Sequence, residues 1–312
     1  MKQAFDELLS ILNLEKIDEC LYRGITPQTH SRRVFGGQVF AQAMRAAQDT
    51  VVQERMIHSQ QAYFLRPGDP SVPIIYAVDK IRDGGSFTTR RVVASQRGKA
   101  IFSTSLSFQV REPGLNHQLE MPVCPPPEDL EDDYERWSKL ISGSKSKPKS
   151  HPSLKPIEMR SVDPVNYLDP EVRSPSQYIW LRACGNLDAM QPNDPGLHHA
   201  ILAYASDFSL MSTSLLPHGQ SILDPNLQPA SLDHSIWFHD DFRIDEWLLY
   251  AMDSPRASHA RGLNRGSFFH RDGRLVASTI QEGLIRLRVD KEYGRRTPTG
   301  RLSPKGINTR SN

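Results

Sequence analysis

Gly36-Gly37-Gln38-Val39-Phe40-Ala41-Gln42-Ala43-Met44-Arg45-Ala46-Ala47 is followed by four strand-like runs with no second helix among them. After the opening Val34-Phe35-Gly36-Gly37, the spacing predicts a helix from Gln38 to about Val51, with Ala41, Ala43, Ala46 and Ala47 in its interior. Small side chains let a neighbouring surface approach closely, so this helix is expected inside the fold rather than over it. His58–Leu65 then ends at Arg66-Pro67-Gly68, and Val72–Ile81 at Arg82-Asp83-Gly84-Gly85. Ser86–Gln96 carries Phe87, Thr88, Thr89, Val92 and Val93, residues that favour extended backbone, and Ala100–Val110 returns after Arg97-Gly98. One helix followed by consecutive strands with short turns is an α+β arrangement, an antiparallel sheet with a helix against one face.

The same order recurs further along. Residues 3–13 read as a short amphipathic helix, and residues 17–23 suit a strand. From 112 to 155 the composition changes: Pro125-Pro126-Pro127, an acidic run from Glu128 to Asp133, and a Ser/Lys/Pro stretch from Ser142 to Lys155. That segment reads as a linker with one helical turn around Tyr134–Leu140. Pro156–Val162 and Gln177–Ala183 are then strand-like, Gly196–Leu210 is helical and again Ala-rich, and four more strand-like runs follow from Ser231 to Arg288. The hairpin Arg97-Gly98-Lys99-Ala100-Ile101-Phe102-Ser103-Thr104 lies against Asp272-Gly273-Arg274-Leu275-Val276-Ala277-Ser278-Thr279. The expected organisation is one α+β unit over 1–111, a linker over 112–155, a second unit over 156–290 and a basic, flexible tail over 291–312.

A length of 312 residues fits two such units, and 38% hydrophobic with 24% charged residues fits an ordinary folded chain. With 38 Lys and Arg against 36 Asp and Glu, the chain is not a dedicated nucleic-acid binder, whose domain would be clearly basic. Cys20, Cys124 and Cys184 are sparse and odd in number, which fits a reducing compartment rather than a disulfide framework. No run approaches the 18 apolar residues of a membrane span, and the first residues lack a signal peptide's apolar region. The expectation is a cytoplasmic protein.

No G-x-S-x-G elbow is present. In Leu232-Asp233-His234-Ser235, alternation along a strand puts His234 on the face opposite Asp233 and Ser235, so those neighbours do not form a nucleophile–base–orienter chain. His198 and His199 are consecutive on a helix and diverge by about 100°, and no metal is expected. Asp83-Gly84-Gly85-Ser86 joins two strands, so it is either a plain hairpin turn or a turn lining a ligand groove, with Arg82, Arg90 and Arg91 near for phosphates. Asp207, in Tyr204-Ala205-Ser206-Asp207-Phe208, is costly beside a buried helix unless paired. Gln281 is a second polar outlier, and the hairpin alignment sets Leu106 at its place in the first unit. Ser231 is the third. Together Asp207, Ser231 and Gln281 are suited to hold one water: the carboxylate takes its proton, the hydroxyl fixes it and the amide orients it.

The sequence resembles the acyl-CoA thioesterase II (TesB-like) family over nearly its whole length. The matching strings are Leu12-Asn13-Leu14-Glu15, Val34-Phe35-Gly36-Gly37-Gln38, Tyr63-Phe64-Leu65-Arg66-Pro67-Gly68, Arg82-Asp83-Gly84-Gly85-Ser86-Phe87 with Arg90-Arg91-Val92, Tyr204-Ala205-Ser206-Asp207, Leu232-Asp233-His234-Ser235-Ile236-Trp237-Phe238 and Gln281-Glu282-Gly283. The resemblance implies a double hotdog, two antiparallel sheets each wrapped around a long helix. It further implies hydrolysis of fatty acyl-CoA to free fatty acid and CoA without a cofactor. Its catalytic Asp, Thr or Ser, and Gln fall on Asp207, Ser231 and Gln281; Ser231 keeps the hydroxyl where Thr is common. Family members often form dimers or larger assemblies, so a homo-oligomer, dimer or tetramer, is expected. For the substrate, His58, Arg66, Arg82, Gly85, Ser86, Phe87 and Arg90 are candidate contacts, and Phe35, Phe64, Phe87 and Trp237 candidate acyl walls. A non-catalytic acyl-CoA-binding module is the alternative.

Overall fold

Helix α1 (Lys2–Leu12) buries Phe5, Leu8 and Leu12, and short strands β1 (Glu15–Asp18) and β2 (Leu21–Gly24) follow it. The computed structural model describes residues 2–27, 33–143, 156–185, 187 and 194–288. The first long helix, α2 (Gly36–Gln48), precedes β3 (Arg55–Phe64), β4 (Ile74–Asp83), β5 (Phe87–Gln96) and β6 (Lys99–Val110). Helix α3 (Asp133–Gly143) leads into the second half, with β7 (Ile157–Ser161), β8 (Ser176–Ala183) and α4 (Pro195–Ala205). A 3-10 stretch (Met211–His218) then precedes β9 (Leu227–Ser231), β10 (Asp233–Phe238), β11 (Leu248–Ser258), β12 (Arg261–His270) and β13 (Leu275–Leu287). Both long helices are buried because their Ala-rich faces permit it: Ala41, Ala43, Ala46, Ala47, Ala200, Ala203 and Ala205 are all 0% exposed.

The strands run β1-β2-β4-β5-β6-β3-β10-β13-β12-β11-β8-β7, with β9 also on β13, and every pairing among the described strands is antiparallel. The two expected sheets are therefore continuous, joined where β3 meets β10. Ala62 opposes His234, Gln61 opposes Ser235 and Gln60 opposes Ile236, so a pseudo-two-fold axis passes through Gln61 and Ser235. Each half keeps its own helix, which makes the chain a double hotdog. The β5–β6 turn needs Arg97 (φ 48) and Gly98 (φ 71) both left-handed, the two-residue geometry that matches strand twist. Leu106 opposes Gln60 and Arg90, while Gln281 opposes Asn264 and stands one residue past the Ser235–Ile280 pair, beside His234. The axis thus equates Leu106 with Gln281, Arg90 with Asn264 and Gln60 with His234.

The segment between the halves differs from the expected linker. Met121, Cys124 and Leu130 pack on the outer-face cluster of Trp180, Trp247, Leu249 and Phe269, and Trp180 Nε1 donates to Pro125 O at 2.9 Å. Arg160 donates to Pro127 O and Leu130 O, which fastens the segment to β7. Asp132 caps α3, its Oδ1 accepting from the Tyr134 and Glu135 N–H groups. The single helical turn expected there is an 11-residue helix. The Ser/Lys/Pro stretch over 144–155 and the tail over 291–312 lie outside the described residues. No helix among the described residues is long and apolar enough to cross a membrane.

Candidate active site

Helix α4 stops at Ala205, where Ser206 turns its hydroxyl back to Ala203 O (2.8 Å) and the chain leaves the helix with Asp207 projecting. The Asp207 carboxylate meets the start of α2 from the other half: Gly37 N–H donates to Oδ2 at 2.9 Å. The first turn of a helix has N–H groups without intrahelical partners and carries the positive end of the helix dipole, so an anion is favoured there. The two glycines make this approach possible. A Cβ on Gly36 would stand 2.9 Å from Asp207 Oδ2, and one on Gly37 would stand 2.4 Å from Tyr204 O.

Gln281 points inward from β13 and is 0% exposed. Its Nε2 donates to Asp207 Oδ1 at 2.7 Å and lies 3.4 Å from Ser231 Oγ. Ser231 ends β9 opposite Gly283, just before the ladder breaks at Leu232. There Asp233 Oδ1 accepts the Glu282 N–H at 2.7 Å and replaces the missing backbone partner. The structure thus brings Asp207, Ser231 and Gln281 together around one amide group.

His234 is part of the same network, and alternation along the strand indicated only its face. It is 0% exposed, with Nδ1 3.2 Å from Gln281 Nε2 and Nε2 2.8 Å from Ser206 Oγ. Burial pushes its pKa down to about 4, so the ring is neutral and one nitrogen accepts. Ser206 spends its proton on Ala203 O, so His234 Nε2 carries the hydrogen and Nδ1 accepts from Gln281. The chain of donors fixes the amide of Gln281 with its N–H groups toward Asp207 and His234. Its Oε1 is buried and takes no hydrogen bond from the described residues, and neither does Oδ1 of the cross-strand neighbour Asn264. A carboxylate has about four acceptor positions, and Asp207 uses two in these contacts. The arrangement can accept a proton from a water and offer that water a further acceptor, in front of a helix N-terminus suited to an oxyanion. The repeat carried no signal for His234 and Asn264, because their counterparts Gln60 and Arg90 are also buried and polar.

The expected substrate contacts divide. Arg66 follows Phe64, whose ring lies 3.1 Å from the position of a Gly36 Cβ, so it belongs to the triad's end of the sheet; its Nη1 donates to Ala100 O. Arg82, Gly85, Ser86 and Phe87 sit at the β4–β5 turn beside Arg55, nine residues along β3 from Phe64, or roughly 30 Å of strand. The turn is a hairpin held by Arg55, which donates to Gly84 O and Gly85 O, while Ser86 Oγ bonds Glu112. His58 lies at that same end, edge-on to Phe87 at 5.7 Å, and burial lowers its pKa. Arg90 is corrected as a phosphate contact. It is 2% exposed, and its five N–H donors go to Thr50 Oγ1, Thr50 O, Arg82 O, Thr89 O and Asp83 Oδ1. Of the candidate acyl walls, Phe35 stands at the site, stacked on Phe208 at 5.1 Å, beside a cavity of about 370 Å³ that Asp207 also lines.

The chain is similar to known acyl-CoA thioesterases over most of its length. Residues 155–284 match the family described as acyl-CoA thioesterase, and residues 26–109 match the acyl-CoA thioesterase N-terminal domain. Acyl-coenzyme A thioesterase 8 of Mus musculus is 43% identical over 294 residues, covering 89% of this chain and 88% of that protein. Acyl-CoA thioesterase 2 of Haemophilus influenzae is 38% identical over 288 residues, covering 92% and 99%. The structure of an acyl-CoA thioesterase II from Mycobacterium marinum superposes with a TM-score of 0.72 at 38% identity, covering 90% of this chain and 97% of that one.

Proposed function

Because the chain belongs to the acyl-CoA thioesterase family and is thereby a thioester hydrolase, we propose that it cleaves fatty acyl-CoA to free fatty acid and CoA with a water held by Asp207, Ser231 and Gln281. The water oxygen attacks the thioester carbonyl carbon and its proton passes to Asp207. The carbonyl oxygen becomes an oxyanion, stabilised by the remaining N–H groups in the first turn of α2. The carbon–sulfur bond then breaks. CoA leaves as a thiolate, a far better leaving group than an alkoxide because a free thiol has a pKa of roughly 8.5, and recovers the proton from Asp207. Gln281 holds the carboxylate and its Oε1 accepts from the water; the Ser231 hydroxyl holds the other side. No covalent intermediate is required.

The observation that carries this reading is the Asp207 carboxylate held between Gly37 N–H and the Gln281 amide. Both elements come from one chain, so further assembly into dimers or tetramers is not required to complete the site. The sparse cysteines fit a cytoplasmic setting. The test is thiol release from palmitoyl-CoA, followed with a thiol reagent. Asp207→Asn is expected to lower kcat by about 10²-fold or more while the fold is retained. Near-normal turnover by that variant, or tight binding of acyl-CoA by the wild-type protein without thiol release, overturns the proposal.

A further inference from the structure

Building on the hydrolase reading, we infer that the acyl chain lies in the cavity between helix α3 and strand β7, so that the segment joining the two halves sets the chain-length preference. The cavity of about 370 Å³ has Asp207 and Phe35 at one place on its wall and Tyr134 and Trp137 of α3 at another. It falls within the size range of small-molecule sites. Its direction follows from register. Gln177, at the start of β8, donates to Ser209 O, two residues past Asp207, and Ser161 of β7 opposes Ile179. Ser161 therefore marks the end of β7 nearer the carboxylate. Ile157, also on the wall, opposes Ala183 at the other end.

Four residues of strand separate Ser161 from Ile157, roughly 13 Å. An extended alkyl chain with C–C bonds near 1.52 Å and tetrahedral angles advances about 1.25 Å per carbon, so roughly ten carbons reach from one end to the other. The wall suits an uncharged chain. Ile157, Met159, Phe208, Met211 and Trp137 are apolar, and Trp137 is braced edge-on by Tyr167 at 6.2 Å. Arg136 pairs with Asp133 at 3.0 Å, Glu158 with Arg160 and Arg182, and Asp132 accepts the N–H groups at the start of α3. Asp133 also accepts from Ser161 N–H and Oγ, which ties the first turn of α3 to the catalytic end of β7. A phosphate or a free carboxylate meets no unmatched cation among the described residues that line the cavity; an alkyl chain replaces water against apolar side chains.

The experiment is a kcat/KM series over straight-chain acyl-CoAs from C4 to C16 for the wild type, Trp137→Ala and Ile222→Asp. Ile222 lines the cavity yet is 43% exposed, so a charge there enters the cavity with little burden on folding and keeps the test open if Trp137→Ala folds poorly. In the wild type, kcat/KM is expected to climb about fourfold per methylene up to ten to twelve carbons and then level. Each substitution is expected to lower the C12-to-C4 ratio by about tenfold or more. Ratios that match the wild type in both variants, or a wild-type series flat from C4 to C16, overturn this placement of the chain while leaving the hydrolase reading intact. Absence of thiol release at every chain length overturns the hydrolase reading instead.

Discussion

Gly36→Ala adds one methyl group directly against the Asp207 carboxylate. The new Cβ stands 2.9 Å from Asp207 Oδ2 and 3.1 Å from Phe64 Cζ, both inside ordinary van der Waals contact. To reach about 3.4 Å the carboxylate must retreat by about 0.5 Å. Its bond from Gly37 N–H, now 2.9 Å, then moves past the favoured range for N–H···O. A displacement of about 1 Å at a reacting group costs roughly 10²-fold, so about tenfold in kcat is expected here. Stability changes little by comparison. Overpacking costs about 1–3 kcal/mol, and alanine's helix preference over glycine returns up to about 1 kcal/mol. Gly37→Ala supplies the contrast: its Cβ would meet Tyr204 O at 2.4 Å and the Phe35 ring at 2.6 Å, and a backbone oxygen cannot swing away. That variant is expected to lose about 3 kcal/mol or more. The assay pairs thiol-release kinetics with urea unfolding. A Gly36→Ala protein that turns over like the wild type would refute the reasoning, because the carboxylate would then not need its place against the start of α2.

Four further outcomes follow from the same geometry. His234→Phe keeps a ring but removes the acceptor that orients the Gln281 amide; kcat is expected to fall about tenfold with KM unchanged, and an unaltered kcat counts against a positioning role. His199 and His234 are buried with pKa values pushed down to about 4 by desolvation, so below pH 6.5 the unfolded chain binds protons that the folded chain refuses. Stability is therefore expected to fall as the pH drops from about 6.5 to 4, by about 3 kcal/mol for each ring; thermal melts across that window check it, and His199→Phe showing the same acid slope as the wild type would contradict it. Arg90→Ala strands Thr50, Asp83 and two carbonyls, so about 2–4 kcal/mol of stability is expected to disappear while the acyl-CoA KM of the folded fraction stays put; a raised KM would return Arg90 to the substrate. Leu106→Gln places an amide where the first half has no carboxylate to receive it. Melting is expected to show a loss of about 1–3 kcal/mol with no gain in turnover.

The pairing of halves was legible because duplication leaves two hairpins and two Ala-rich helices in the same order, and short-range propensity marks those elements. The Leu106-for-Gln281 exchange was legible for the same reason: an amide on an otherwise apolar inward face stands out against its repeat. His58, Arg82 and Phe87 lie toward the β4–β5 turn, away from Asp207, because string order places a residue along its strand but does not tell which end of that strand the site occupies. Arg90 misled because a cation within a strand looks the same whether it awaits a phosphate or fastens a hairpin to Thr50 and Asp83.

The amino-acid sequence by itself determined two α+β units, one of them carrying Asp207, Ser231 and Gln281, since composition and alternation are properties of neighbouring residues and the repeat is read by laying one stretch of the chain against another. Only the tertiary structure decided that the Asp207 carboxylate from the second half is held by the Gly37 N–H from the first. That contact spans 170 residues and depends on two helices approaching within the width of a glycine. The segment after residue 112 follows the same rule. Its prolines, acids and serines have the composition of a connector, yet Trp137 and Tyr134 wall the cavity beside Asp207, because what a side chain lines depends on what packs across from it.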